Sequence, residues 1–370
     1  MNNTTRPTAS QPSYPEAVEA LFDERWSDGL PLLPATSTLV DRMIAGGTRG
    51  GDEILGTIPE RQVNMQVWQA ATCAVMAGCR PEYFPVVLAT WEALFDARFN
   101  LHTAISSTGG AAIAALVSGP YAEKIGMRSG SNVFGPGNRP NATIGRAIRL
   151  GIMSVLKALP GELDASSYGH AGKYTFHFAE RTPPAGWPTV REQMGWGLSA
   201  TTVTVMPAEA PRQVMQRWQP TADGMLRLFG KTMCVPSMNV TGTLAPFMIA
   251  IGPEHVEVIA DAGLKPRDVR EKLSEYSRIT PEELRAVGIE PDVSGTRFSE
   301  PDEKGRIVTA YPESILVMTT GGIGAGWSQV IPSWSWLKSS SPASRAVRVP
   351  GEPVSVRDAS RAEVDFAGSA

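Results

Sequence analysis

Three side chains of the sequence are suited to proton transfer, namely His102, Lys173 and Tyr174. His102 follows Asn100 in a predicted loop, and histidine is the commonest acid–base group near neutral pH. Lys173 and Tyr174 open a predicted strand, where a lysine can lower the pKa of a tyrosine hydroxyl. Structural roles stay open for all three. A loop histidine can bond a carbonyl, and neighbouring residues on a strand point to opposite faces.

A glycine-rich loop that leads into an amphipathic helix is the strongest candidate for binding an anion. Gly135 and Gly137 lie in the loop, and Arg146 and Arg149 lie in the first turns of the helix. The positive end of a helix attracts a carboxylate or phosphate, and an asparagine or threonine can cap it. The predicted substrate-binding residues are Asn100, Asn132, Gly135, Gly137, Asn141, Thr143, Arg146 and Arg149, with Asn141 or Thr143 as the helix cap.

The same stretch has a structural interpretation. Its spacing matches neither the phosphate-binding loop of nucleotide triphosphatases nor the dinucleotide fingerprint. A rigid turn could simply start a core helix, with Arg146 and Arg149 in structural ion pairs. The two interpretations differ in what removal of an arginine would change, either ligand affinity or stability.

Cys79 and His177 are further candidates. Cys79 ends a predicted helix beside Arg80, so a nearby cation could activate its thiol, while the helix C-terminus would disfavour the thiolate. A structural role is favoured, because free cysteines are among the most buried residues. His177 shares a strand face with Thr175 and Ala179, which is either a pocket wall or a solvent face.

Composition limits the classes of function. The chain has 370 residues, a net charge of -3 and 19% charged residues, which is typical of a globular protein and gives no basic patch for nucleic acid. No apolar run is long enough to span a membrane. Three cysteines without a pairing pattern predict a cytoplasmic protein. Four histidines without ligand spacing predict no metal site, and no motif identifies a cofactor.

Strands alternating with helices predict an α/β fold with mixed or parallel sheets and flanking helices. Apolar runs at 112–117 and 247–251 are each followed by Gly-Pro and a helix, and a third run spans 315–319. The recurrence suggests two pseudo-repeated halves. We predict a disordered tail at 1–13, then one large domain at 14–342 or two packed halves at about 14–200 and 201–342. A loose tail is predicted at 343–370.

Four segments together carry a family resemblance, at 26–34, 74–83, 135–149 and 172–180. They read Trp-Ser-Asp-Gly-Leu-Pro-Leu-Leu-Pro, Ala-Val-Met-Ala-Gly-Cys-Arg-Pro-Glu-Tyr, Gly-Pro-Gly-Asn-Arg-Pro-Asn-Ala-Thr-Ile-Gly-Arg-Ala-Ile-Arg and Gly-Lys-Tyr-Thr-Phe-His-Phe-Ala-Glu. Over nearly its whole length the chain resembles bacterial proteins associated with the Sec/Cys-Gly-Ser-Cys (UGSC) (seleno)protein family. Two positions depart from the family pattern: His177 stands where a cysteine is expected, and Gly324-Ala325 where a Lys-His pair is expected.

The resemblance implies a cytoplasmic role in small-molecule metabolism, linked to thiol or selenol chemistry. Because the chain lacks the Cys-Gly-Ser-Cys box, a small partner protein would supply that group, and a homo- or hetero-oligomer is expected. The resulting hypothesis is an enzyme or enzyme subunit that acts on a small anionic metabolite. Two alternatives stay open, a non-redox hydratase or lyase using the same pocket and a non-catalytic scaffold for the partner.

Overall fold

A computed structural model describes residues 13–235, 244–291, 301–335 and 340–364. Its helices are α1 (Tyr14–Asp23), α2 (Ser37–Ala45), α3 (Val67–Ala77), α4 (Phe84–Leu94), α5 (Leu101–Ser106), α6 (Pro120–Lys124), α7 (Arg139–Leu150), α8 (Val190–Gln193), α9 (Ala222–Met233), α10 (Pro253–Asp261), α11 (Pro266–Tyr276) and α12 (Pro281–Ala286). The strands are β1 (Ile54–Ile58), β2 (Val63–Gln66), β3 (Ala112–Ser118), β4 (His177–Ala179), β5 (Thr202–Ala208), β6 (Arg212–Met215), β7 (Phe247–Ile251), β8 (Arg278–Ile279), β9 (Ile307–Val308), β10 (Ile315–Thr319), β11 (Trp327–Pro332) and β12 (Ala343–Ala346).

Two four-stranded sheets have the same pairing pattern. The first has the order β12-β5-β3-β4 and the second the order β10-β7-β11-β6. In each, the central strand pairs in parallel with an edge strand, β3 with β4 and β7 with β10. The remaining pairs of both sheets are antiparallel. Two short antiparallel pairs, β1-β2 and β8-β9, complete the sheets of the described residues.

The two sheets pack face to face, with helices on their outer faces. Alternate residues of a strand point to opposite faces, and the cores follow that alternation. In β3, Ala112, Ala114 and Leu116 belong to the cluster shared with β7 and β10, whereas Ile113, Ala115 and Val117 pack with α3, α4 and α7. In β7, Met248 and Ala250 face the shared cluster, while Phe247 and Ile249 pack with α9, α10 and α11. The layers are therefore helix, sheet, sheet and helix.

The predicted α/β class is confirmed. The three predicted apolar strands appear as β3, β7 and β10, and their residues are almost wholly buried. Proline stands at the start of α6 and of α10, where a missing N–H costs nothing. The matching pairing patterns of the two sheets agree with a pseudo-repeat, which stays a prediction.

Local boundaries differ from the sequence predictions at several places. The predicted strand at 172–180 is a 3-10 turn, Ala171–Lys173, followed by the short β4. His102 lies in α5 and not in a loop. The helix after the glycine-rich loop begins two residues earlier than Asn141, because Asn138 caps it by accepting a hydrogen bond from the backbone N–H of Asn141.

The C-terminal segment also differs from the prediction. Residues 343–346, which were predicted to begin a loose tail, form β12 and hydrogen-bond to β5. β5 pairs in turn with β3, so the first sheet includes strands from both sides of residue 201. The N-terminal tail predicted at 1–13 lies outside the described residues except for Ser13, the N-cap residue of α1, whose N–H and Oγ donate to the Glu16 carboxylate.

Gly145 sets how closely α7 approaches β4. A Cβ at this position would lie 2.2 Å from Thr175 Oγ1 and 2.9 Å from His177 Nδ1. We therefore expect Gly145→Ala to force the helix away from the sheet and lower the free energy of unfolding by about 1–3 kcal/mol. Urea denaturation measures the change. Gly130→Ala is the matched control, since nothing lies within 4 Å of a Cβ there, and an equal effect of both substitutions would contradict the packing argument.

Candidate functional site

One cavity of about 460 Å³ collects several of the residues predicted to be functional; we call it the Arg149 cavity. It lies near the start of β4, beside the 3-10 turn Ala171–Lys173. Its charged and polar lining residues are Asp28, Arg149, Asp164, Ser166, Tyr168, His170, Lys173 and Tyr174. The structure thus brings together Arg149, Lys173 and Tyr174 from the sequence prediction and adds Asp164, Ser166 and His170.

Lys173 is fully engaged within this cavity. Its ammonium donates to both carboxylate oxygens of Asp164, at 2.9 and 2.6 Å, and to Ser166 Oγ at 2.6 Å. Burial alone would raise the pKa of Asp164, but the hydrogen bonds from Lys173 and Ser166 outweigh it and hold that pKa below its usual range. Because three donors are already used, Lys173 needs Asp164 to move before it can bond a ligand.

Arg149 has unused donors. Its side chain is only 8% exposed, and its Nε donates to the carbonyl of Lys173 at 2.6 Å. Nη1 lies 4.0 Å from Asp164, beyond hydrogen-bond range, and neither Nη group has a hydrogen-bond partner among the residues described. Burial lowers the pKa of Arg149 to about 10, so the guanidinium stays charged at neutral pH. A buried charged fork that faces a cavity is suited to bidentate contact with a carboxylate.

Arg146 has the structural role that the sequence left open. Its guanidinium makes two hydrogen bonds of 2.8 Å to Asp28 and donates to the carbonyls of Leu30 and Pro31. The Asp28 side chain is 2% exposed. The predicted role of Arg146 as the ion partner of a substrate is therefore replaced by a clamp that fastens the 26–36 segment to α7.

The predicted anion cradle at the start of α7 is closed by its own side chains. Asn132 donates to the carbonyl of Pro136 at 2.8 Å, and Gly135 donates to the carbonyl of Asn132. Gly137 adopts a φ of +99°, which favours glycine and shapes the turn. Asn141 bonds the backbone of Arg128, and Thr143 bonds the carbonyl of Arg139. None of these five residues lines the cavities described here.

The remaining predicted residues lie apart from the Arg149 cavity. Asn100 caps α5, and its φ of +52° is a conformation that asparagine tolerates. His102 follows it in α5, and its Nδ1 has no hydrogen-bond partner within the described segments. Burial raises the pKa of the Cys79 thiol to about 12, which favours the structural interpretation. His177 is 4% exposed, and burial lowers its pKa to about 3, so it is a neutral core residue.

A larger cavity of about 800 Å³ lies at the opposite end of β3 and β4; we call it the Glu180 cavity. Glu180 directly follows β4, and Gly119 directly follows β3. Its titratable and charged lining residues are Glu123, Glu180, Arg181 and Arg191. The sequence prediction missed this set, although Glu180 is the last residue of the strand predicted at 172–180 and ligands of α/β proteins commonly bind at the carboxyl ends of strands.

The Glu180 carboxyl is held by two groups. Both of its oxygens accept from the backbone N–H of Val190, at 2.9 and 3.1 Å, and Oε2 also accepts from Ser118 Oγ. Burial raises the pKa of Glu180 to about 7, although Ser118, Val190 and Arg191 partly oppose this. Arg191 donates to Ser118 Oγ at 3.3 Å, and its Nε is buried without a partner within the described residues. A carboxyl that titrates near neutral pH is poised for proton transfer.

Neither a cluster of metal ligands nor a membrane-spanning helix is found in the part of the chain that the structure describes. No group of three or more histidine, cysteine or acidic side chains there is arranged to hold a metal ion. No described helix has the length and apolar character needed to cross a membrane. All three cysteines are buried and unpaired.

Comparison with models of protein families and with curated proteins finds no match for this chain. The resemblance to proteins associated with the Sec/Cys-Gly-Ser-Cys family therefore stays a prediction from the four sequence segments.

Glu180 predicts a specific pH dependence of stability. The pKa of Glu180 in the folded protein, about 7, lies above the ordinary value of 4.5, so the folded state holds this proton more tightly than the unfolded state. Its contribution to the free energy of unfolding is therefore complete below about pH 4.5 and is lost as the pH rises towards 7. Glu180→Gln keeps the shape of the protonated carboxyl and cannot ionise. We expect the melting temperature of the variant, relative to the natural protein, to rise between about pH 5 and pH 8. A difference that stays constant across this range would contradict the raised pKa.

Proposed function

We propose that the chain is an enzyme or enzyme subunit of the cytoplasm that acts on a small organic anion bound in the Arg149 cavity. The observation that carries the proposal is the buried Arg149 guanidinium, which lines the cavity and whose two Nη groups have no hydrogen-bond partner in the described part of the chain. Its neighbour Lys173 adds a second cation, whose charge Asp164 balances. Asp28 also lines the cavity but is paired with Arg146, so these five charged groups together leave an excess of one positive charge, to which an anion can form charge-assisted hydrogen bonds.

The volume of about 460 Å³ suits a small metabolite. Tyr174, half-exposed, stands at the rim, and His170 accepts from Gly172 N at 3.3 Å while its Nε2 lies 3.2 Å from the carbonyl of Ala208. Burial lowers the pKa of His170, so the ring is neutral at pH 7 and adds no charge. In this proposal Arg149 binds the carboxylate, and Tyr174 is available to contact the remainder of the ligand.

A thiol or selenol link would depend on a partner chain. Burial raises the pKa of Cys73 and of Cys79 to about 12 and also raises that of Cys234, so these thiols stay protonated. A small Cys/Sec-Gly-Ser-Cys partner protein would have to bring the reactive sulfur or selenium. The same burial favours the second candidate, a non-redox hydratase or lyase, which needs no thiol.

The matched pair Arg149→Met and Arg146→Met tests the proposal. Acetate, lactate and succinate are titrated calorimetrically into each folded protein, and melting temperatures are measured in parallel. We expect at least one carboxylate to bind the natural protein and Arg149→Met to weaken it by roughly ten- to hundredfold, which corresponds to the loss of about 1.5–3 kcal/mol. Arg149→Lys should recover part of the affinity, because lysine keeps the charge but lacks the fork.

Arg146→Met serves as the control. Losing this arginine leaves the buried Asp28 carboxylate without its partner, so the melting temperature should fall more than in Arg149→Met. Because Asp28 also lines the cavity, this variant is compared by its melting temperature and not by its affinity. Unchanged affinity in Arg149→Met would remove the anion site from the Arg149 cavity.

A further inference from the structure

We propose that the Glu180 cavity is a second ligand site, in which Arg181 and Arg191 bind a small anion and the Glu180 carboxyl exchanges a proton with it. This inference does not depend on the Arg149 cavity. The two cavities lie at opposite ends of β3, and seven residues of strand separate them by roughly 20 Å.

The position within the fold favours ligand binding. β3 and β4 are parallel, so their carboxyl ends lie side by side, and the residues that follow them, Gly119 and Glu180, both line the cavity. In α/β sheets, ligands bind in the crevice outside the carboxyl ends of the strands. The Arg149 cavity lies at the amino ends of β3 and β4, so this rule favours the Glu180 cavity independently of its charges.

The net charge of the side chains that line the Glu180 cavity depends on whether the Glu180 carboxyl is protonated. With that carboxyl protonated, the charged side chains of the lining are Arg181, Arg191 and the exposed Glu123, which leaves a positive excess. Glu192 lies near Glu180 on α8, but its carboxylate is bonded to Thr189. Ionisation of Glu180 would cancel the excess. An anion is therefore bound best by the protonated form, and binding must draw a proton onto Glu180.

Arg191 has the donor that an anion needs. Its Nη1 donates to Ser118 Oγ at 3.3 Å, which is a long bond, and its Nε is buried without a partner among described residues. A buried unpaired donor costs free energy until a ligand bonds it. The side chain of Arg181 makes no ion pair or hydrogen bond within the described segments, and its backbone is anchored to Thr319.

The proton step is simple to balance. In one direction the O–H bond of the Glu180 carboxyl breaks and its proton moves to a basic oxygen or carbon of the bound anion. The resulting carboxylate keeps its hydrogen bonds from Ser118 and from the Val190 N–H, which stabilise it. In the other direction the carboxylate removes a proton from the ligand. No electrons are exchanged, so the chemistry is that of an isomerase, hydratase or lyase step.

Calorimetry of anion binding in two buffers with different ionisation enthalpies measures the proton exchange directly. The probes are sulfate and succinate, titrated into the full chain at pH 7. We expect binding to take up a fraction of a proton, at most about one half, because Glu180 is about half ionised at its pKa of about 7. The uptake should disappear at pH 5, where the carboxyl is already protonated.

Three variants test whether Glu180 takes up the proton and whether Arg191 binds the anion. Glu180→Gln should bind the probe without taking up a proton, and Arg191→Gln should weaken binding tenfold or more. Glu19→Gln is the matched control, since this carboxylate is exposed on α1 and lines neither cavity, and it should leave the uptake unchanged. Uptake that persists in Glu180→Gln, an affinity that Arg191→Gln leaves unchanged, or no binding of either probe to the natural protein would overturn the proposal.

Discussion

Hydrogen bonds between the ends of β4 and β10 fix the two sheets against each other at one edge. The N–H of Arg181 donates to the carbonyl of Thr319 at 2.8 Å, and Thr319 Oγ1 donates back to the carbonyl of Arg181 at 2.6 Å. Thr320 Oγ1 bonds the carbonyls of Ala179 and Ser129. Glu180 stands between two residues anchored in this way, so its carboxyl is directed into the cavity by backbone that neither sheet can release without leaving buried polar groups unpaired.

The fold class was predictable because the apolar runs that become β3, β7 and β10 are long, continuous and followed by turn residues. Short elements were not, because tertiary contacts decide them. β4 has only three residues and is fixed by pairing with β3, and β12 reaches its place by pairing with β5 across more than 130 residues of sequence. The helix α7 begins at Arg139 because Asn138 caps it, although Asn141 and Thr143 have equally suitable side chains.

The candidate site was predictable only where its parts are close along the chain. Lys173 and Tyr174 are neighbours in the chain, and Arg149 lines the same cavity as both, whereas the glycine-rich loop that was expected to share the site with Arg149 does not line it. Glu180 is the last residue of the segment 172–180, yet no neighbouring residue in the sequence distinguishes it from a surface glutamate. Its environment comes from Ser118, 62 residues earlier, and from Val190, ten residues later. Such convergence has no signature in a single sequence.

The hydrogen-bond partners of the arginines favour ligand binding at the two cavities over ligand binding at the start of α7. Arg146 uses its guanidinium on Asp28 and two carbonyls, and Arg139 uses its own on the carbonyl of Gly78. Arg149 and the Nε of Arg191 are buried, and each keeps a donor without a hydrogen-bond partner among the described residues. An incoming anion gains most where a cation has already lost its water and has no protein acceptor, because the cost of desolvation was met on folding. The sequence places Arg146 and Arg149 in the same helix, but only the distribution of acceptors around each guanidinium separates a structural ion pair from a binding group.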